Sequence, residues 1–437
     1  MISEAVVYAC TCDLAGKVRG KGFPAADFEK RLKRGIGWAP TNTQITCFDL
    51  IADTPFGALG DRVLIPDPVT RVSVRSEEHG MAEDFVLGDI LNLDGSPWAM
   101  CTRSILKSAL ERLHRVARLR LLSAFEHEFQ FTSNPTGIGH AYTLQGLSSR
   151  RVFAERLIGA MRAAGLAPDT IMKEYAPEQL EVTMDPSEGV TSADHAVILR
   201  QLIYSIARSC GEAVTFTPLR VPGGVGNGVH IHFSLLDEGG APAVFDPNAR
   251  YNLSDVAGQF VAGILKYLDS ILALTAPSVV SYGRLTPHRW SAAFNNLGLQ
   301  DREAAVRICP VSAMSDIEPA RQYNIEFRAG DASASPYLHL AAIVHAGVQG
   351  IEEGLEPPEA TEEDLALLSP GELTRRGYIR LPTSLSDALE LFAENATVHG
   401  WFEPEFPEVY RKHKEGEMRF LEGMDEGEVH RAYESVY

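Results

Sequence analysis

Three short runs of this chain set charged or metal-capable side chains in strict alternation with bulky apolar ones, and a period of two commits each run to a strand with one polar and one apolar face. In Phe125-Glu126-His127-Glu128-Phe129 the two glutamates share a face. In Gly228-Val229-His230-Ile231-His232-Phe233-Ser234-Leu235 the polar face carries His230, His232 and Ser234. In Asn324-Ile325-Glu326-Phe327-Arg328 it carries Glu326 and Arg328. A single run of this kind reads more readily as a solvated strand of a half-buried sheet, and three such runs weaken that reading. Solvated faces, however, mix Lys with Thr, whereas these concentrate Glu and His with Arg and Ser close by.

A fourth segment, Glu174-Tyr175-Ala176-Pro177-Glu178-Gln179-Leu180-Glu181, holds glutamates on both sides of a proline that forbids a continuous helix, so they converge only through a bent loop or strand. Oxygen-rich ligand sets with one imidazole suit Mg²⁺ or Mn²⁺ better than structural zinc. Two such ions side by side are a recurring clamp for the phosphates of ATP. Arg284, Arg302 and Arg307 supply fork-shaped cations for carboxylate or phosphate, with surface ion pairing as the plainer alternative for each. The stretch Gly223-Gly224-Val225-Gly226-Asn227-Gly228 lacks the spacing of a P-loop and fits a tight turn where backbone approaches a ligand, or a flexible loop.

A length of 437 residues favours two domains over one core. The net charge of −18 repels nucleic acid and anionic membrane surfaces, so anionic ligands need a local arginine cluster. The six cysteines are scattered and read as reduced thiols, with Cys10 and Cys12 alternating on one buried strand. Met1 to Cys10 has no basic start or long apolar run, and no later segment is expected to reach the ~18 apolar residues of a membrane helix. The expected location is the cytoplasm.

From Ala5 to Trp98, short apolar runs are cut by turns such as Asp13-Leu14-Ala15-Gly16 and Asp94-Gly95-Ser96-Pro97, which predicts a small sheet-rich domain. A boundary near Cys101 divides residues 1–101 from 102–437. Beyond it, helical spacing over Arg103–Leu122, Ser149–Gly165, Ser192–Gly211 and Ser254–Leu274 separates strand-like runs, an α/β or α+β pattern. Ser384 and Asp387 predict a capped helix to Asn395, and the charged tail Pro407–Tyr437 reads as a solvated surface helix.

Taken in order, these pieces resemble the glutamine synthetase family over nearly the whole chain. Glu126-His127-Glu128-Phe129 looks like its paired-glutamate strand, Glu174 to Glu181 like its Glu, Pro, Gln, Glu element, and Gly226 to Ser234 like its glycine loop entering His-x-His-x-Ser. Pro277 to Leu285 is similar to its Asn-Ser-Tyr-x-Arg-Leu stretch, and Asp301 to Pro310 to its Asn-Arg-x-x-x-x-Arg-Ile-Pro stretch. Ile325 to Arg328 resembles its Ile-Glu-x-Arg element, and Asp331, Pro336 and Tyr337 resemble its next Asp and Asn-Pro-Tyr. The resemblance implies an α+β fold: a small N-terminal β-grasp domain and a large catalytic domain with a curved antiparallel sheet.

It also implies that Glu128, Glu174 and Glu181 hold one Mg²⁺ or Mn²⁺ and that Glu126, His230 and Glu326 hold a second. His232, Ser234 and Arg307 would lie along ATP, Arg302 and Arg328 near the transferring phosphoryl group, and Arg284 with the Gly226 backbone at the amino-acid substrate. Arg284, Arg302 and Arg328 are thus the catalytic candidates. The implied reaction joins the γ-carboxylate of glutamate to an amine through an acyl phosphate, in a ring-shaped hexamer or dodecamer.

Departures fall on the nitrogen side. Trp290 stands where the family carries a flap glutamate that deprotonates ammonium, and the ammonium-binding Phe-Asp-Gly-Ser-Ser element is missing. An indole there suits an organic amine, so Trp290 is a substrate-binding candidate. Asn324, Leu219, Asp301, Glu178, Val280 and Ser335 also replace family residues, the first two on the nucleotide side. The alternatives are a catalytically silent relative kept for structure or regulation, and a phosphotransferase using the same site.

Overall fold

Two mixed sheets frame the chain in a computed structural model that describes residues 4–57, 59–76, 81–133, 137, 139–314 and 316–437. The first sheet comprises β1 (Val6–Cys12), β2 (Val18–Pro24), β3 (Ile36–Trp38), β4 (Arg62–Pro66), β5 (Val72–Ser76) and β6 (Met81–Leu91), in the order β2-β1-β6-β4-β3 with β5 also on β6. The turn from β1 to β2 forms where Asp13 Oδ1 accepts the Ala15 and Lys17 amides at 2.9 and 2.8 Å and Gly16 takes φ +69°. Cys10 and Cys12 are buried on β1 and unpaired.

The second sheet carries the site. Its strands are β7 (Arg120–Phe131), β8 (Pro168–Lys173), β9 (Gln179–Met184), β10 (Ser187–Glu188), β11 (Val214–Thr215), β12 (Val229–Leu236), β13 (Leu297–Leu299), β14 (Val306–Ile308), β15 (Ile325–Phe327) and β16 (Ala360–Thr361). The order is β16-β13-β14-β15-β12-β7-β9-β8, with β10 and β11 on β7. Pairing is antiparallel from β14 to β8, and only the β16-β13-β14 edge is parallel.

Helices cover one face of this sheet. Phe125 and Phe327 meet His339 of helix Pro336–Glu352 edge-on, Phe233 meets Phe260 of helix Asp255–Thr275, and Phe129 and Phe131 meet Phe153 of helix Arg151–Ala163. The alternation in the sequence therefore sends every second side chain, His127 among them, into this core and Glu126, Glu128, His230, His232 and Glu326 to the opposite face. Buried apolar residues run without a break from Val7 in the first sheet to Tyr437. Arg103, itself buried, ties the two segments by pairing with Asp67 at 2.8 Å and Asp89 at 3.0 Å on one side and Asp194 at 2.8 Å on the other.

Three expectations need correction. The helix expected over Arg103–Leu122 is Thr102–Ala117; Arg118 takes a left-handed cap at φ +57°, and Arg120 already begins β7. The tail is not a solvated helix. It forms Phe406–Leu421 and Glu426–Val436, and it buries Tyr410, His413, Lys414, Glu417 and Tyr433, with Lys414 Nζ 2.9 Å from Glu417 Oε1. Pairing the charges within the helix is what lets them leave water. Finally, Asp255–Thr275 is long and apolar enough to cross a membrane, although 72% of its most apolar 18-residue window is buried inside the fold. Gly263 lets it close on helix Pro336–Glu352: a Cβ there would lie 2.2 Å from the Ala346 carbonyl oxygen.

Candidate active site

Strand register assembles the polar face. His230 lies opposite Glu126, Glu181 opposite Glu128, and Glu326 opposite both His232 and Arg307. Directly paired residues share a face, so β9, β7, β12, β15 and β14 contribute to one row. His230 Nδ1 is 3.3 Å from Glu126 Oε2 and 3.6 Å from Glu326 Oε1, while His232 Nε2 is 3.1 Å from Glu126 Oε1. Ligand atoms of Glu126, Glu181 and His230 lie within 4.8 Å of one another, as do those of His232, Cys309 and Glu326.

This grouping differs from the expected pairing of Glu181 with Glu128 and Glu174. Glu128 Oε2 is taken up by the Gly228 amide at 2.7 Å and by Gln179 Nε2 at 3.1 Å. Glu174, at the end of β8, accepts from Tyr142 Oη and from the Tyr175 amide, each at 2.9 Å. Glu128 and Glu174 thus flank the converging atoms.

Charge is unevenly balanced along the row. Burial works against ionisation of Glu326, but Arg328, His230 and His232 hold its carboxyl down at about 2. Arg307 Nη1 donates to Glu326 Oε2 at 2.7 Å, and Arg328 Nη1 donates to its Oε1. At the other end, burial and the carboxylates of Glu126, Glu128, Glu174 and Glu326 push Glu181 up to about 9. Burial and Glu128 likewise raise Glu174. Glu181 and Glu174, whose ionisation burial and neighbouring carboxylates suppress, belong to a donor set suited to a divalent hard ion, which adds positive charge at that end of the row.

His232 is held protonated well above the usual imidazole range: burial opposes the charge, but Cys309 and Glu126 outweigh it. Its Nδ1 donates to Asn324 Oδ1 at 2.8 Å. With Ser234, Glu126, Arg321 and Asn324 it lines a cavity of about 330 Å³. Cys309 was given no part by the sequence, yet its Sγ lies 3.6 Å from His232 Nδ1.

Arg284 occupies the glycine loop. It is buried, donates to Ser291 Oγ at 3.0 Å and to the Gly330 carbonyl oxygen at 2.5 Å, and leaves its Nε without a partner. A Cβ on Gly226 would lie 2.6 Å from Arg284 Cγ, so glycine is needed for this approach. A buried guanidinium with an open donor is a ready anion site. The Arg302 side chain is exposed and stands apart; its carbonyl oxygen accepts from Arg328 Nε at 3.0 Å.

Trp290 is 56% exposed and takes φ +52°, held by Glu303 Oε1, which accepts its amide at 3.2 Å, and by Arg328 Nη2, which donates to its carbonyl oxygen at 3.1 Å. Its ring centroid is 6.4 Å from Tyr142 and 6.1 Å from Tyr175. Three exposed aromatic rings therefore stand together beside Glu174. Sequence reasoning missed Tyr142, Tyr175, Gln179, Cys309 and Arg321. Tyr175 and Gln179 lay inside a run already singled out, whereas Tyr142 and Arg321 sit where no periodicity marks them.

Comparison with known proteins adds an independent line. The family described as "Glutamine synthetase, catalytic domain" matches residues 99–431, and "Glutamine synthetase N-terminal domain" matches residues 3–98. The γ-glutamylpolyamine synthetase GlnA3 of Streptomyces coelicolor is 31% identical over 435 residues, covering 97% of this chain and 92% of the relative. A glutamine synthetase of Thermococcus kodakarensis is 29% identical, covering 88% and 83%. A crystal structure described as a novel glutamine synthase homolog superposes with a TM-score of 0.92 at 37% identity, covering 100% and 99% of the two chains. GmaS bound to ADP shares the fold, with a TM-score of 0.82 at 24% identity over 97% of this chain and 95% of that one.

Proposed function

The chain belongs to the glutamine synthetase family of ligases, and from this we propose that it joins the γ-carboxylate of glutamate to an organic amine at the expense of ATP. The observation that carries this reading is the single sheet face on which Glu126, Glu128, Glu181, His230 and Glu326 meet Arg307 and Arg328. Glu128, Glu174 and Glu181 would hold one Mg²⁺ or Mn²⁺, and Glu126, His230 and Glu326 another. When bound, these ions neutralise the phosphate charge that otherwise repels a carboxylate nucleophile.

Protonated His232, Ser234 and Arg307 line the path of the ATP phosphates. Arg321, which lines the same cavity as His232 and Ser234, offers a cation in the segment where Asn324 replaces the family's arginine. Arg284 receives the α-carboxylate of glutamate against the Gly226 backbone. The γ-carboxylate oxygen attacks the γ-phosphorus, the bond to the β,γ-bridging oxygen breaks, and ADP leaves. Arg328, with Arg302 swinging in from the surface, stabilises the negative charge on the transferring phosphoryl oxygens. The amine nitrogen then attacks the acyl carbon, the C–O bond to phosphate breaks with its electron pair leaving on the phosphate oxygen, and the nitrogen's extra proton passes to the departing phosphate.

The acceptor reading rests on Trp290, Tyr142 and Tyr175, whose ring faces suit the hydrocarbon and ammonium parts of an organic amine. A relative named γ-glutamylpolyamine synthetase supports the same class. We further propose that subunits assemble as a ring in which residues 1–101 of one copy close the site of the next, to be checked by size measurement in solution. The function is tested by phosphate release from ATP with Mg²⁺ and glutamate. Organic amines should stimulate release more than ammonium does, and Glu326→Ala should abolish it. Ammonium as the best acceptor would overturn the amine assignment, and no release with any acceptor would favour a silent relative.

A further inference from the structure

The converging set His232, Cys309 and Glu326 contains a thiol, and hard ions such as Mg²⁺ take oxygen and avoid sulfur. Cys309 Sγ lies 3.6 Å from His232 Nδ1 and 3.8 Å from Glu326 Oε2. Around a tetrahedral Zn²⁺, with bonds of about 2.3 Å to sulfur and about 2.0–2.2 Å to nitrogen or oxygen, sulfur stands roughly 3.5–3.7 Å from each of the other two atoms. The thiol, imidazole and carboxylate are therefore already spaced close to the edges of such a tetrahedron. Cys309 stands between Ile308 and Pro310, one residue more than the Arg-Ile-Pro that its stretch resembles, so the thiol is an addition of this chain.

The neighbours of the three donors fit the same ion. His232 Nε2 faces Glu126 Oε1 at 3.1 Å, so one ring nitrogen is tied to a carboxylate while the other faces the thiol, an arrangement that orients a ligating imidazole. Glu326 divides its oxygens: Oε1 is 3.6 Å from His230 Nδ1, and Oε2 faces Cys309. Arg307 Nη1 donates to Oε2 at 2.7 Å and Arg328 Nη1 donates to Oε1. A carboxylate has about four acceptor positions, so each oxygen keeps one for a metal. Asn324 Oδ1, 2.8 Å from His232 Nδ1, is held in place by its own Nδ2, which donates to the Gln322 carbonyl oxygen at 3.0 Å. It stands beside the fourth position, toward the cavity of about 330 Å³ that His232 and Asn324 line.

We propose that His232, Cys309 and Glu326 form a third cation site, selective for thiophilic Zn²⁺ over Mg²⁺, and that filling it inhibits the enzyme by taking His232 out of the path of the ATP phosphates. Binding replaces two protons, one from the Cys309 thiol and one from His232 Nδ1, and both pass to solvent. A hard ion at Glu126, His230 and Glu326 does not exclude it, because Glu326 serves the two ions with different oxygens. The binding claim stands on the geometry alone, and the inhibitory claim rests on the ligase reading above.

Co²⁺ follows Zn²⁺ into tetrahedral sites and reports a thiolate ligand by a charge-transfer band in the near ultraviolet. Titrated into the full chain in excess Mg²⁺, it should raise this band, and Zn²⁺ should then remove it. Cys309→Ser should abolish the band. Cys309→Ser and His232→Gln should each raise the Zn²⁺ Kd about tenfold or more, read by competition with a chromogenic chelator. X-ray absorption of the unsubstituted protein with Zn²⁺ decides the ligand set even where a variant fails to fold: one sulfur at about 2.3 Å is expected, and a shell of nitrogen and oxygen alone would overturn the site. In the phosphate-release assay, Zn²⁺ should inhibit the parent in competition with ATP. Cys309→Ser, compared with its own rate in Mg²⁺ alone, should need about tenfold more Zn²⁺ for the same inhibition. No thiolate band, or a band and a Zn²⁺ Kd that survive Cys309→Ser, would overturn the site. Zn²⁺ bound at Cys309 with phosphate release undiminished would overturn the inhibitory role. Absence of release with every amine sinks the ligase reading, and the metal titration still decides the site.

Discussion

Glu181 is buried among Glu126, Glu128, Glu174 and Glu326, and in the metal-free protein its carboxyl stays protonated up to about pH 9 instead of the ordinary 4.5. Its folded-state value is raised, so the linked stability is fully present below about 4.5 and is lost as pH rises toward 9. The metal-free protein should therefore lose melting temperature across that window, and Glu181→Gln should flatten the loss. Mg²⁺ should restore more stability at high pH than at low pH, because it binds the ionised form. A second residue prediction concerns Glu178, which occupies a family glycine position at φ +55°. The left-handed backbone is retained because Glu178 Oε2 accepts from buried Arg150 at 2.5 Å. Glu178→Gln should destabilise the fold by roughly 3 kcal/mol in urea titration, since it weakens the pairing of a buried cation. The alternation around Glu126 and His230 could be read from sequence because a strand fixes the face of each side chain. The role of Glu178 could not, because its partner lies on another element.

Elements were readable where the pattern was local and failed where a partner set the outcome. Ser384 caps its helix as its spacing with Asp387 predicts, accepting the Asp387 amide at 3.1 Å. The register that brings Glu326 opposite His232 was invisible, since nothing in β15 or β12 alone specifies which residues pair. The buried tail was misread because Lys414 and Glu417 look solvated until each is seen to neutralise the other. Helix packing supplies a direct check. Gly263→Ala forces a Cβ to within 2.2 Å of the Ala346 carbonyl oxygen and 2.7 Å of the Gly350 amide nitrogen, both backbone atoms that cannot swing aside. The expected cost is about 3 kcal/mol from overpacking, measured by thermal or urea unfolding. A variant as stable as the parent would show that the two helices do not rely on this close approach.

Across the molecule as a whole, the first sheet and the catalytic sheet share one apolar core and are clasped by Arg103 between Asp67, Asp89 and Asp194. We propose residues 1–101 and 102–437 as the two units so joined. Composition and turn spacing conveyed the change from sheet-rich to helix-rich chain near Cys101; the shared core depends on long-range packing and was not foreseeable. If one polar sheet face serves carboxylate activation and then amide formation, an oxygen atom of the acid must pass to phosphate. The decisive experiment supplies glutamate labelled with ¹⁸O in its γ-carboxylate, together with ATP, Mg²⁺ and a reactive amine, and weighs the released phosphate by mass spectrometry. The expected result is one ¹⁸O in each phosphate formed with the amide, because the γ-carboxylate oxygen becomes the bridge of the acyl phosphate and leaves with phosphorus. Unlabelled phosphate accompanying the amide would contradict attack by the carboxylate on the γ-phosphate.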